Sequence, residues 1–286
     1  MASSSCDNTT VLRDGKYQVD PSNPMNLVRY LEAWYPPGVS EKDTLWGGNT
    51  AQLALLADRT VLKYAWDRDD RRAKNCLDVE HSILSALGEH KRIVKYLGKH
   101  DYGLRFELAA NGDVRRYLSS HDPSESSEQL RRKWAKQAAE ALAFIHNQGV
   151  IHSDIHPNNL LLDEHLDIQL CDFAGSVYGT LDGGAMESIR FFLPRDSHAT
   201  PDAKSDLFAL GSTIYFIMSD HEPYDYLVEE EVAARFSRKE YPDVQNYSCG
   251  RVIEGCWKGD FKSAQEVVDA MSGDFLVGCH DEAKTE

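Results

Sequence analysis

Between positions 152 and 175 the chain carries side chains whose types and spacing could move a phosphoryl group. The run His152-Ser153-Asp154-Ile155-His156-Pro157-Asn158-Asn159 sets a carboxylate five residues ahead of a carboxamide. Phosphoryl transfer needs such a pair: a carboxylate to take the nucleophile's proton and an amide oxygen that a metal ion can hold. Thirteen residues after Asn159, the run Cys171-Asp172-Phe173-Ala174-Gly175 puts a second carboxylate at the end of a strand-like stretch, where it can ligate Mg2+. Singly, Asp154 and Asp172 would read as ordinary turn acids. Their order and context argue for chemistry.

The elements that must position these groups follow from pattern. Leu27, Val28, Tyr30, Leu31 and Trp34 recur at helical spacing, which predicts a short helix before Pro36-Pro37-Gly38. Leu53–Leu56 and Val61–Tyr64 read as a hairpin around Ala57-Asp58-Arg59-Thr60. Over 76–88, Leu77, Glu80, Ile83, Leu84 and Leu87 share one helical face, with Gly88 as a stop. Two short strands are expected around Ile93–Leu97 and Gly103–Leu108, and a helix after Asn111-Gly112-Asp113. The strongest amphipathic helix runs from Ser127 to Asn147, with further helices at Leu207–Met218 and Ser263–Met271 and a Gly-rich loop from Gly175 to Gly184. A small sheet-rich part followed by a larger helical part is an α+β layout in two lobes.

Composition narrows the function classes. In 286 residues, 46 acidic side chains face 31 basic ones, a net charge of −15. Such a chain repels nucleic acid and anionic membranes, so neither is expected as a partner. No apolar run approaches the roughly 18 residues that span a bilayer. The start lacks the basic and apolar regions of a signal peptide, and Ala2 excludes myristoylation. The six cysteines lie far apart without a C-x-x-C pair, which favours reduced thiols and an intracellular location, cytoplasmic or nuclear.

These residues resemble the protein-kinase family, whose signature joins H-R-D-x-x-x-x-N, D-F-G and a strand lysine. The resemblance spans roughly residues 41–272 and implies a bilobal fold: an N-terminal extension over 1–40, an N-lobe over 41–109, a C-lobe over 110–272 and a tail over 273–286. It makes Asp154 the catalytic base, Asn159 and Asp172 the Mg2+ ligands, and Lys63 of Val61-Leu62-Lys63 the holder of the ATP α/β-phosphates. Glu80 on the next helix would pair with Lys63, since a buried lysine needs an anion to stay charged. Backbone groups of Glu107-Leu108-Ala109 would bind the adenine edge, with Phe106 behind it. Asp113 would meet the ribose hydroxyls or, as an alternative, cap the next helix. Asp206 of Asp206–Gly211 would tie down the catalytic loop from beneath, and Ile253–Trp257 matches a late helix of the large lobe. The implied cofactors are ATP and Mg2+, and the partner is a protein substrate.

The departures from the pattern are specific. In the phosphate-binding loop only Gly48 falls in place, with Trp46 and Ala51 at the outer glycine positions, where side chains obstruct close approach of backbone N–H groups to phosphate. Ala174 replaces the glycine of D-F-G, with Gly175 next to it to supply part of the lost backbone freedom. Ser153 replaces the arginine of H-R-D. Leu193-Pro194-Arg195 replaces A-P-E, and the best match for that motif's buried arginine partner is Lys262, so two cations stand where an ion pair is usual. His156 stands where serine/threonine kinases have lysine, and His156-Pro157 also echoes small-molecule kinases. Three functions fit: a protein kinase, more in the Ser/Thr than the Tyr pattern; a pseudokinase-like ATP-binding scaffold; and an aminoglycoside- or choline-type phosphotransferase. Without the arginine, activity is expected to be independent of phosphate on Ser176, Tyr178, Thr180 or Ser188.

Overall fold

The computed structural model describes residues 34–47, 51–196 and 199–277, preceded by three backbone strands. These are β1 (Thr9–Leu12), β2 (Gly15–Asp20) and β3 (Asn23–Tyr30), paired antiparallel in that order. β3 replaces the short helix expected from the spacing of Leu27, Val28 and Tyr30. Those residues pair with Val19, Gln18 and Lys16 instead. Backbone pairing with the adjacent β2 overrides a weak helical period.

A five-stranded antiparallel sheet follows, built from β4 (Thr44–Gly47), β5 (Ala51–Leu55), β6 (Thr60–Ala65), β7 (Tyr96–His100) and β8 (Gly103–Glu107), in the order β4-β5-β6-β8-β7. Strand alternation splits β6 between two faces. Leu62 and Tyr64 join Ala54 on the outer face, which Trp34, Val39 and Leu56 cover. Val61 and Ala65 turn inward to the main core, and Lys63 lies between them on that side. The helix α1 (Arg71–Leu87) starts where Asp70 accepts hydrogen bonds from the N–H groups of Arg72 and Ala73, and stops at Gly88, whose φ of +64° suits glycine. It buries Leu77, Glu80, Ile83, Leu84 and Leu87 as the pattern predicts. β7 begins later than expected because Ile93 and Val94 are drawn to the helical lobe: Ile93 bridges Leu170, and the Val94 N–H reaches the Leu170 carbonyl at 2.9 Å.

The second lobe contains α2 (Val114–Ser120), α3 (Glu128–Asn147), β9 (Val150–Ile151), β10 (Leu160–Leu162), β11 (Ile168–Leu170), β12 (Val177–Tyr178), β13 (Leu181–Asp182), α4 (Ala203–Ser219), α5 (Glu229–Ser237), α6 (Gly250–Lys258) and α7 (Ala264–Val277). Ser127 caps α3, whose Trp134, Ala138, Leu142 and Ile145 are buried as its periodicity demands. α4 lies between α3 and α6. The sequence reading passed over α5, which starts with three glutamates, favoured at a helix N-terminus, and buries Val232 and Phe236 four residues apart. No helix among the described residues is long and apolar enough to cross a membrane. The architecture is α+β, sheet-rich first and helical after.

Candidate active site

Lys63, Glu80 and Asp172 come from a strand, a helix and a loop and meet at one point. The Lys63 ammonium lies 2.6 Å from Glu80 Oε2 and 2.6 Å from Asp172 Oδ1. Burial works against its charge, but the carboxylates of Asp172 and Glu80 outweigh it and hold the pKa above the ordinary lysine range. For Asp172 burial is likewise outweighed by Lys63, and its carboxyl stays below the usual range, ionised. At Glu80 burial dominates and pushes the carboxyl upward. The other Glu80 oxygen accepts the Phe173 N–H at 3.2 Å, so one side chain holds both the lysine and the backbone after Asp172. Asp172 has φ +65°, which turns its carboxylate toward the cleft, and its side chain keeps 40% exposure there.

The loop that carries Asp154 and Asn159 hangs from Asp206. This carboxylate has no exposure and accepts the backbone N–H groups of His152 and Ser153, both at 2.8 Å, with His146 Nε2 2.9 Å away. These bonds hold Ser153 at φ +66°, a conformation a non-glycine residue adopts only at a cost. Asp206 thus fills the role expected of it. His152 is buried with its Nε2 3.0 Å from the Cys171 carbonyl and its ring edge-on to Phe173. Asn159 donates through Nδ2 to the Asp154 carbonyl at 2.9 Å and lies 3.4 Å from Asp154 Oδ2. Its carbonyl oxygen is left as the atom a cation would take. His156 Nε2 approaches the same Asp154 oxygen at 3.3 Å, while its Nδ1 accepts the Asn158 N–H. Burial pulls the His156 pKa down, but its bond to Asp154 and that group's charge raise it above the ordinary value.

The remaining expected residues divide. Phe106 is buried at the end of β8, and Glu107 pairs with Thr60 as the chain leaves the sheet for Leu108 and Ala109. Asp113 caps α2 by accepting the Arg116 N–H at 2.9 Å. Gly48 lies outside the described residues. One contact that sequence reasoning missed is Arg115, whose Nε donates to Asn158 Oδ1 at 2.9 Å and whose other end meets Glu222. Its only signal was a basic residue at the start of α2.

Across the sequence profiles of known families, that of the protein kinase domain matches residues 56–271, most of the chain. The chain belongs to the protein kinase family. It is 27% identical over 190 residues to a "Putative mitogen-activated protein kinase kinase kinase 7-like" protein of Drosophila melanogaster, covering 63% of this chain and 48% of that one. It is 23% identical over 282 residues to human "Receptor-interacting serine/threonine-protein kinase 1", covering 85% of this chain and 40% of that one. Aurora kinase B of Drosophila melanogaster is 27% identical over 181 residues, covering 59% and 53% respectively. The chain spans about half, or less, of the length of these relatives.

Where this kinase domain departs from its family, the structure shows what the replacements do. Gly175 does not supply backbone freedom. A Cβ there would meet the Ala185 Cβ at 2.1 Å, so the glycine serves a close approach. At Gly183 an added Cβ would lie 2.0 Å from the Ala174 carbonyl oxygen. The Gly183 N–H reaches the Ser176 carbonyl and the Ala185 N–H the Gly175 carbonyl, each at 3.1 Å, which folds the start of the activation segment on itself. β12 pairs with β9, Ser176 is buried with its hydroxyl donating to the His152 carbonyl, and the Cys76 thiol of α1 lies 3.5 Å from the Gly183 carbonyl. Ser176 is thereby removed from the expected phosphate acceptors. Lys262 is exposed, and Arg195 forms a 2.6 Å ion pair with Glu187 inside the segment. The acid eight residues upstream of Arg195 was the signal for this pairing.

Proposed function

We propose that this kinase domain transfers the γ-phosphoryl group of ATP to a protein hydroxyl, in the Ser/Thr pattern, with Asp154 as the base. The carrying observation is the Lys63 ammonium clamped between Glu80 and Asp172 at 2.6 Å each, which joins the two lobes in one charged cleft. In this reading Lys63 holds the α/β-phosphates, Glu80 keeps Lys63 charged and aimed, and backbone groups of Glu107 and Ala109 receive the adenine edge. Asp154, a third exposed, accepts the hydroxyl proton through the carboxylate that His156 and Asn159 orient.

Asp172 and Asn159 fit a Mg2+ site. They offer a carboxylate and an amide oxygen, and Mg2+ is held by one or two such ligands with substrate phosphates completing its shell. Bound there, the ion would neutralise phosphate charge. The discriminating experiment pairs two variants. Asp154→Asn should lower transfer by about 10²–10⁴-fold with ATP affinity unchanged, whereas Asp172→Asn should also weaken Mg2+-dependent nucleotide binding. Equal losses of binding in both would refute the assignment.

A further inference from the structure

We infer that Arg195 and Glu187 are positioning residues that set the end of the activation segment beside Asp154, so that transfer requires no phosphate on that segment. The inference deepens the kinase reading and rests on it for its kinetic arm alone.

The pair is enclosed: the Glu187 side chain has no exposure and that of Arg195 has 13%, with the guanidinium also 4.4 Å over the Phe192 ring. It closes a loop that contains Phe191, itself buried, whose N–H is bound to the Ser188 carbonyl at 2.8 Å. The Phe191 ring stands edge-on to His156 with 6.1 Å between centroids, and His156 Nε2 reaches Asp154 Oδ2 at 3.3 Å. The loop that the ion pair closes is thus two contacts, through Phe191 and His156, from the carboxylate of Asp154. A charge-assisted bond between buried groups holds such a loop, and removing one partner strands the other charge.

The segment's second arginine is committed too. Arg190 donates to the Leu227 carbonyl at 2.6 Å and lies 3.8 Å from Glu222 across the gap to the helical body. In the family pattern the cation sits on the catalytic loop and a phosphate on the segment supplies the anion. In this chain the polarity is inverted. The cations Arg190 and Arg195 belong to the segment, carboxylates answer them, and the arginine's place on the catalytic loop is taken by Ser153, whose buried hydroxyl has no hydrogen-bond partner among the described residues.

The test uses the full chain, treated with a broad-specificity phosphatase and verified by mass. Amide hydrogen exchange over 187–195 is followed alongside transfer from ATP–Mg2+ to myelin basic protein as a generic acceptor. Dephosphorylated protein should keep its protection, and its kcat should change by less than about twofold. Glu187→Gln, nearly isosteric, should raise exchange across the loop by about tenfold or more and lower kcat with little change in KM for ATP. The double exchange Glu187→Arg with Arg195→Glu should recover protection. The inference is overturned if phosphatase treatment alone deprotects the loop or stops transfer, if Glu187→Gln exchanges like the parent, or if the double exchange is no better than the single. A parent protein with the expected exchange pattern but no transfer would remove the kinase reading and leave the positioning claim standing.

Discussion

The cleft and the end of the activation segment both depend on ion pairs, but they recruit their partners differently. Lys63 and Asp172 are 109 residues apart, whereas Arg195 and Glu187 are eight apart. The first pair forms only when the sheet lobe, α1 and the helical lobe have all folded and closed. The second can form within a single loop. Groups that would touch the reacting atoms are therefore hostage to the whole fold, while the groups that present the acceptor are organised locally. The local pair needs two residues of one loop, whereas the clamp between lobes needs three residues from three elements.

The sharpest way to break the comparison is Lys63→Met. Transfer should fall by about a hundredfold or more, because a charge aimed at the phosphates is lost. Exchange protection over 187–195 should be unchanged; its loss there would mean the two regions are not independent. Asp206→Asn comes next, since Asp206 supports the loop that both regions use. Replacing a carboxylate that answers three donors should cost about 1.5–3 kcal/mol for each charged hydrogen bond weakened, read as a lower denaturation midpoint together with a reduced kcat.

Acid sensitivity gives a smaller, graded effect. Burial holds His152, His81 and His90 below the ordinary histidine value, whereas His156 is held above it, where Asp154 outweighs burial. Below about pH 6.5 the unfolded chain protonates the first three while the fold resists, so stability falls with pH at up to about 1.4 kcal/mol per unit for each such proton. His156 acts in the opposite sense: its stabilising share is full below about pH 6.5 and is lost as pH rises through its folded value. Melting curves between pH 7.5 and 5.5 should show the midpoint dropping on acidification, and His156→Ala should steepen that drop. The smallest effect, on function, belongs to Trp34→Ala. Trp34 packs edge-on to Tyr64 and Tyr102 on the outer face of the sheet, at 5.8 and 6.0 Å. Its loss should cost about 1–3 kcal/mol of stability and leave the kinetics of the remaining folded protein alone.

Much of the cleft was legible in the sequence because its chemistry is carried by residue type. Lys63, Glu80, Asp154, Asn159 and Asp172 stand in family order, and the fold brings them together. The two-lobe α+β layout was legible for a related reason, since α1 and α3 each show an apolar period and α4 is an apolar run buried nearly all round. What could not be read depended on three-dimensional competition. The strand β3 defeated a weak helical period because a partner strand was at hand. The late start of β7 reflects the pull of Leu170 on Ile93 and Val94. Asp113 could have served a ribose or a helix, and only its bond to the Arg116 N–H distinguishes what it does in this structure. The anion that answers Arg195 was not legible because Glu187 lies outside any motif and away from the family's partner position.

The contact between Cys76 and Gly183 has a practical corollary. The thiol is buried between α1 and the activation segment, and burial keeps it protonated, as it does the thiols of Cys171 and Cys256. An alkylating reagent can reach the Cys76 sulfur only while α1 swings away from the segment, so its labelling rate is the product of an opening equilibrium and an intrinsic rate. The molecule therefore contains its own clock for the motion of the helix that carries Glu80, readable by mass spectrometry without any introduced probe.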